Sequence, residues 1–263
     1  MSKMSTPAVI SFERVSKVYD GTRTLESVTL AVAEREFLAI VGGSGAGKTT
    51  LLRLINRLID PSDGIVRLEG EDVRTLDPIA LRRRIGYVFQ NIGLFPHMTV
   101  AENIAITPRL LGWDAASRAA RVDELIDLVR LDRAKYRDRL PHQLSGGERQ
   151  RVGVARALAA RPRIVLMDEP FGALDPITRD ALGRDVRALH DELGLTTVMI
   201  THDALEAVLL ADRIVVMRDG HAIADGTPRA LLAGDADPYV RELMQTPRRQ
   251  AERLHALIAG PAA

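Results

Sequence analysis

The chain has no cysteine. Disulfides, thiolate metal sites and cysteine nucleophiles are therefore excluded, and the cytosol is the expected compartment. No run of about 18 or more apolar residues occurs, so no membrane-spanning helix is expected. The opening MSKMSTPAVISFERV lacks the apolar stretch of a signal peptide. A role at a membrane would pass through a partner. An excess of one charge is missing too: 36 basic residues stand against 35 acidic ones. That balance gives no argument for a nucleic-acid partner. Aromatics make up only 4%, with Trp113 the sole tryptophan. Only four of the basic residues are lysines (Lys3, Lys17, Lys48 and Lys135), so a lysine inside a motif asks for a reason. What is present is ordinary: 46% hydrophobic and 27% charged residues over 263 positions, enough for one large domain with a buried core.

Short β-like runs come first: VISFERVSKVY, TLESVTLAV, FLAIVGG, GIVRLEG after the turn signal PSDG, and IGYVFQ at 85–90. From Thr99 the spacing turns helical, with Val122, Leu125, Ile126 and Val129 on one face. After Arg163, IVLMDEP and TTVMITH are unbroken apolar runs, the pattern of strands covered on both faces. Leu182, Val186, Leu189 and Leu193 mark an amphipathic helix between them. RIVVMRDGHAIADG is a hairpin about Asp219-Gly220, and TPRRQAERLHALIAG a short basic helix within a tail at 244–263. The expectation is one α/β domain over 1–263, with a mostly parallel sheet and a helical subdomain inserted at about 91–161.

Residues 42–49, Gly42-Gly43-Ser44-Gly45-Ala46-Gly47-Lys48-Thr49, satisfy GxxxxGK followed by Ser or Thr, between a strand and the helical stretch TLLRLINRL that starts at Thr50. Glycines let successive amides point inward, and a helix N-terminus favours phosphate. Lys48 would reach the β- and γ-phosphates, and the Thr49 hydroxyl would hold Mg²⁺. Asp168 and Glu169 end a buried strand, where carboxylates are costly without a cation or a reacting group. Asp168 is expected at the Mg²⁺, and Glu169 is placed to polarise an attacking water. LSGGERQRVGVARAL at 144–158 supplies a second anion-binding helix start through Ser145, Gly146 and Gly147, with Val152, Ala155 and Leu158 facing a core. Two such cradles suggest a nucleotide held between two copies of the chain.

These motifs, with MDEP, ALD at 173–175 and ITHD at 200–203, resemble those of ATPase subunits of the ATP-binding cassette family over nearly the whole chain. The resemblance implies a P-loop NTPase core, an N-terminal antiparallel β subdomain, and ATP with Mg²⁺ as cofactors. It implies that Tyr19 stacks on adenine, that Gln90 links the Mg²⁺ and the water to the transport partner, and that His202 contacts the γ-phosphate. Ser145 and Gly147 would touch the nucleotide of the opposite subunit of a head-to-tail homodimer, and Asp175 would lie across that interface. Taken alone, Tyr19 reads as a half-buried aromatic and His202 as a structural histidine. His97, His142, His190, His221 and His255 have no metal-ligand spacing. Trp113 reads as a packing residue or as part of a partner groove.

NIGLFPHMTVAENIA resembles importer ATPases, whose helical subdomain receives a short helix of the membrane permease; Phe95, Pro96 and Met98 are candidates for that groove. With FGALDPITRD and TPRRQAERL, the similarity extends to the glycine betaine, choline and carnitine uptake group; this implies a subunit peripheral to the inner face of the cell membrane, with a permease and a substrate-binding protein as partners. Another solute, such as methionine or a phosphonate, stays open, as does a soluble cassette ATPase without a membrane partner. Gly43 stands where many relatives carry proline, and Glu148-Arg149 where this group often has glutamines; neither removes a phosphate ligand.

Overall fold

The computed structural model describes residues 8–234 and 237–259. Lys3 and positions 260–263 of the expected basic tail lie outside them. Strands β1 (Ala8–Tyr19) and β2 (Thr22–Ala33) form a long hairpin, followed by β3 (Phe37–Val41) and helix α1 (Lys48–Ile55). Then come β4 (Asp63–Leu68), β5 (Glu71–Asp72), α2 (Pro78–Arg84) and β6 (Ile85–Val88). Helices α3 (Val100–Leu110), α4 (Ala115–Leu128), α5 (Arg133–Tyr136) and α6 (Gly146–Leu158) occupy the section expected to be helical. The chain closes with β7 (Ile164–Asp168), α7 (Pro176–Leu193), β8 (Thr196–Thr201), α8 (Ala204–Leu210), the hairpin β9 (Arg213–Arg218) and β10 (His221–Gly226), α9 (Pro228–Ala233) and α10 (Pro238–Ala259).

Two sheets result. β2-β1-β4-β5 is antiparallel; the other sheet has the order β10-β9-β3-β8-β7-β6 and is parallel except for β10. Every residue of β3, β7 and β8 is buried. Their side chains alternate between two cores, as a period of two requires. Leu38, Ile40, Leu166, Val198 and Ile200 pack with α1 and the antiparallel sheet. Ala39, Val41, Val165, Met167 and Met199 pack on the other face with α3, α4, α6 and α7. Val122, Leu125, Ile126 and Val129 belong to that second cluster, so the helical section shares a core with the sheet.

Local chemistry sets the element ends. Thr99 opens α3 through a reciprocal capping box with Glu102. Asp219 and Gly220 take φ of 49° and 79°, the paired left-handed residues of a tight hairpin turn. Three expectations need correcting. Leu193 is 42% exposed, because α7 stops there against the left-handed Gly194 and does not turn that face to the core. α1 ends at Ile55, capped by Asn56, so the expected stretch through Leu58 is cut short. The basic tail helix is the distal part of a 22-residue helix that starts at Pro238, because Val240 and Met244 sit one turn apart in the core.

Candidate functional site

Strand register builds the site. Val41 lies opposite Thr201 in the β3–β8 pair, and Asp168 opposite Ile200 in the β7–β8 pair. The residues that follow these strands, Gly42, Glu169 and His202, therefore emerge together at the carboxyl edge of the sheet, where α/β folds place ligands. Val88 of β6 pairs with Met167, which brings Gln90 to the same edge.

The loop from Gly42 to Gly47 needs its glycines. A Cβ on Gly42 would lie 2.2 Å from the Met217 carbonyl oxygen, and one on Gly47 2.7 Å from the Thr24 carbonyl. Gly47 has φ 95°, and no side chain caps α1 behind it. Gly43, Ser44 and Gly45 are exposed at the loop tip, Ala46 is buried, and Thr50 is half-buried on the first turn of α1. Lys48 is 6% exposed, and its ammonium donates to the carbonyls of Gly42 (2.7 Å) and Gly43 (2.8 Å). Burial lowers its pKa, while the charges of Glu169 and Asp168 act in the opposite direction.

Asp168 is 7% exposed, and burial raises its pKa against the pull of Arg53. The Thr49 hydroxyl donates to one of its oxygens and the Tyr87 hydroxyl to the other, both at 3.4 Å. A hydroxyl beside a buried carboxylate is a hard-oxygen donor set that suits Mg²⁺. Glu169 turns the chain with φ 44°, a costly conformation for a non-glycine residue, held by its amide donating to the Ile200 carbonyl at 3.0 Å. The Gln90 amide donates to Glu169 Oε2 at 3.0 Å, and His202 Nδ1 lies 3.4 Å from that same oxygen. Gln90 is thus placed on Glu169 and, among the described residues, makes no hydrogen bond to Thr49 or Asp168.

A strand, a phosphate-type loop and two converging carboxylates at one sheet edge suit a nucleotide-binding ATPase, and the family described as ABC transporter matches residues 25–172. The chain belongs to the ABC transporter family. It is 49% identical over 237 residues to the glycine betaine/carnitine/choline transport ATP-binding protein of Bacillus subtilis, covering 90% of this chain and 62% of that protein. It is 47% identical over 234 residues to the glycine betaine uptake system ATP-binding protein of Escherichia coli, covering 89% of this chain and 76% of that one. The dimeric structure of an ATP-binding cassette in a post-hydrolysis state with ADP and Pi superposes with a TM-score of 0.76 at 34% identity, covering 83% of this chain and 98% of that one. A component of an ABC transporter complex from Clostridium perfringens gives a TM-score of 0.81 at 26% identity, covering 95% and 99% of the two chains. The P-loop ATPase fold of an ABC cassette is therefore the fold of this chain.

The remaining cassette residues lie apart from this cluster. Ser145 caps α6 in a capping box: its hydroxyl accepts from the Glu148 amide (3.3 Å), and the Glu148 carboxylate accepts from the Ser145 amide (2.7 Å). Gly146 and Gly147 form the first turn, and a Cβ on Gly147 would meet Thr178 Cγ2 at 2.4 Å. Asp175 caps α7 by accepting from Ile177 (3.1 Å) and Thr178 (3.0 Å). Tyr19 is 40% exposed at the end of β1, with the Lys17 ammonium 4.9 Å from its ring centre.

Sequence reading missed Arg156. It is buried on α6 and donates to the carbonyls of Ile92 and Gly93, both at 2.6 Å, clamping the segment after Gln90. Its run RVGVARAL signalled only a core face. Beside it lies a cleft of about 430 Å³ lined by Tyr87, Phe89, Phe95, Ile106 and Leu110. Of the three groove candidates only Phe95 is among its lining residues. Trp113 is half-buried in a separate hollow with Asp114, Ser117 and Arg121. Among the described residues no cluster of three or more His, Cys, Asp or Glu forms a metal site, and no helix is long and apolar enough to cross a membrane.

Proposed function

We propose that this chain is the ATP-hydrolysing subunit of an importer that drives uptake of quaternary amines, such as glycine betaine, choline or carnitine. The observation that carries the chemistry is the convergence of Gln90 and His202 on one oxygen of Glu169, next to the Thr49–Asp168 contact. The loop Gly42–Thr49 holds the phosphates of ATP, with Lys48 on the β- and γ-phosphates and Tyr19 against adenine. Thr49 and Asp168, with Gln90, would hold Mg²⁺, which when bound draws off phosphate charge. Glu169 orients and polarises the attacking water, and His202 steadies the γ-phosphate.

Two copies close head to tail, so that Ser145 and Gly147 of one copy complete the site of the other while Asp175 lies across the interface. ATP favours the closed pair because it is gripped from both sides, and loss of the γ-phosphate removes that preference. The cleft between β6 and α3 receives a short helix of the permease. Its exposed Phe89 and Phe95 are apolar, and Phe89 immediately precedes Gln90. The subunit thus sits at the inner face of the membrane, and a substrate-binding protein supplies the solute outside. The quaternary-amine class rests on the relatives' transport roles.

Uptake of labelled glycine betaine, choline and carnitine tests this in cells carrying the cognate permease and binding protein with either this chain or its Glu169→Gln variant. Uptake of one of these solutes is expected with the natural chain and not with the variant, which still binds ATP. Intact ATP hydrolysis with no uptake of any of them would keep the motor and discard the solute class.

A further inference from the structure

The phosphate loop is held from outside by the C-terminal helix. The Gly43 amide donates to the Tyr239 hydroxyl at 2.9 Å, across 196 positions of sequence. This donor exists only because residue 43 is not proline. On its other side the same Gly43 accepts, through its carbonyl, from Lys48 (2.8 Å) and from the Ala46 amide (3.3 Å). One residue therefore connects Tyr239 to the lysine that faces the phosphates.

Tyr239 is itself fixed. The Asp237 carboxylate accepts from the Tyr239 amide at 2.8 Å and from the Arg218 guanidinium at 3.1 and 3.2 Å. The Arg218 guanidinium lies 5.5 Å from the Tyr239 ring centre. Arg218 follows Met217, whose carbonyl presses against Gly42. One residue beyond Tyr239, Val240 is fully buried, as is Met244 a turn later. The start of α10, the end of β9 and the tip of the phosphate loop are thus one braced unit, and among the described residues the tyrosine hydroxyl makes the one hydrogen bond from the helix to the Gly43 peptide.

We propose that Tyr239 is a positioning residue for the phosphate loop, through which α10 sets the affinity of the cassette for nucleotide. The hydroxyl orders the Gly43 peptide before ATP arrives, so binding does not have to order it. The effect belongs to binding and not to the chemical step, because among the described residues Tyr239 makes no hydrogen bond to Glu169, Gln90 or His202. This inference rests on the proposed ATP site, and the measurement separates the two.

Equilibrium titration with a fluorescent ATP analogue, and steady-state hydrolysis of MgATP, are compared for the natural chain, Tyr239→Phe, Gly43→Pro and the double variant. Tyr239→Phe keeps the ring and its Arg218 contact and removes the hydroxyl; it is expected to raise Kd and KM about 3- to 10-fold, with kcat within about twofold. Gly43→Pro removes the donor and is expected to match it, and the double variant to be no worse than either single change. Natural affinity in Tyr239→Phe, an equal loss in kcat, or additive losses in the double variant would overturn the inference and leave the ATP site standing. A natural chain that binds no nucleotide would overturn both.

Discussion

The two helix starts offered as phosphate cradles are built on opposite principles. α1 begins behind a left-handed glycine with no side-chain cap, and its buried lysine curls back over the loop. α6 begins behind Ser145 with both halves of a capping box made, and the Glu148 carboxylate also accepts from the Tyr136 hydroxyl at 2.5 Å. A helix N-terminus carries about half a positive charge and several amides without intrahelical partners. At α1 no side chain caps them. At α6 part of the demand is met within the chain, leaving a rigid, self-sufficient turn that can grip a nucleotide only when another surface supplies the rest. The proposed function accordingly gives primary binding to α1 and the closing contact to α6.

Four experiments break or sharpen this contrast. The largest effect is expected from Lys48→Ala: removing the one buried cation beside Asp168 and Glu169 should cost about 2 to 5 kcal/mol of ATP affinity, read by calorimetric titration. Next, Gly47→Ala forces a side chain into φ 95° and towards the Thr24 carbonyl. It should cost about 1 to 3 kcal/mol of stability in denaturant unfolding and weaken binding as well. Ser145→Ala should cost only about 1 kcal/mol of stability and leave ATP binding by the single chain unchanged, while ATP-driven dimerisation, followed by light scattering, weakens. An equal loss of single-chain affinity in this variant would erase the distinction between the cradles.

The smallest effect is expected from Glu148→Gln. Burial works against the Glu148 charge, but the Tyr136 hydroxyl and the Ser145 amide and hydroxyl together outweigh it and hold the carboxyl below its ordinary value of 4.5. A carboxylate held low in the folded state contributes stability above its unfolded pKa and loses it as pH falls through the folded one. The natural chain should therefore exceed the glutamine variant by about 0.5 kcal/mol at pH 7, and the gap should close below about pH 4.5, measured by thermal unfolding.

The site was legible in proportion to how local its causes are. The phosphate loop, the MDEP strand end and the α6 cap are each written in a few consecutive residues, and each lies on the element expected of it. Val122, Leu125, Ile126 and Val129 were readable because helical spacing alone decides which face is buried. Leu193 was not, since the same spacing does not announce where Gly194 ends the helix. Arg156 was hidden for another reason: its partners are carbonyls of Ile92 and Gly93, and carbonyls carry no sequence signal.

The sequence by itself determined the family, the candidate site residues and the strand ends from which they project, because backbone geometry and turn chemistry act over a few residues. The tertiary structure alone decided that Gln90 and His202 share one oxygen of Glu169, that Arg156 secures the segment after Gln90, and that Tyr239 reaches Gly43. Those pairings depend on sheet order and helix packing, which bring together residues whose separation along the chain says nothing of their distance in space.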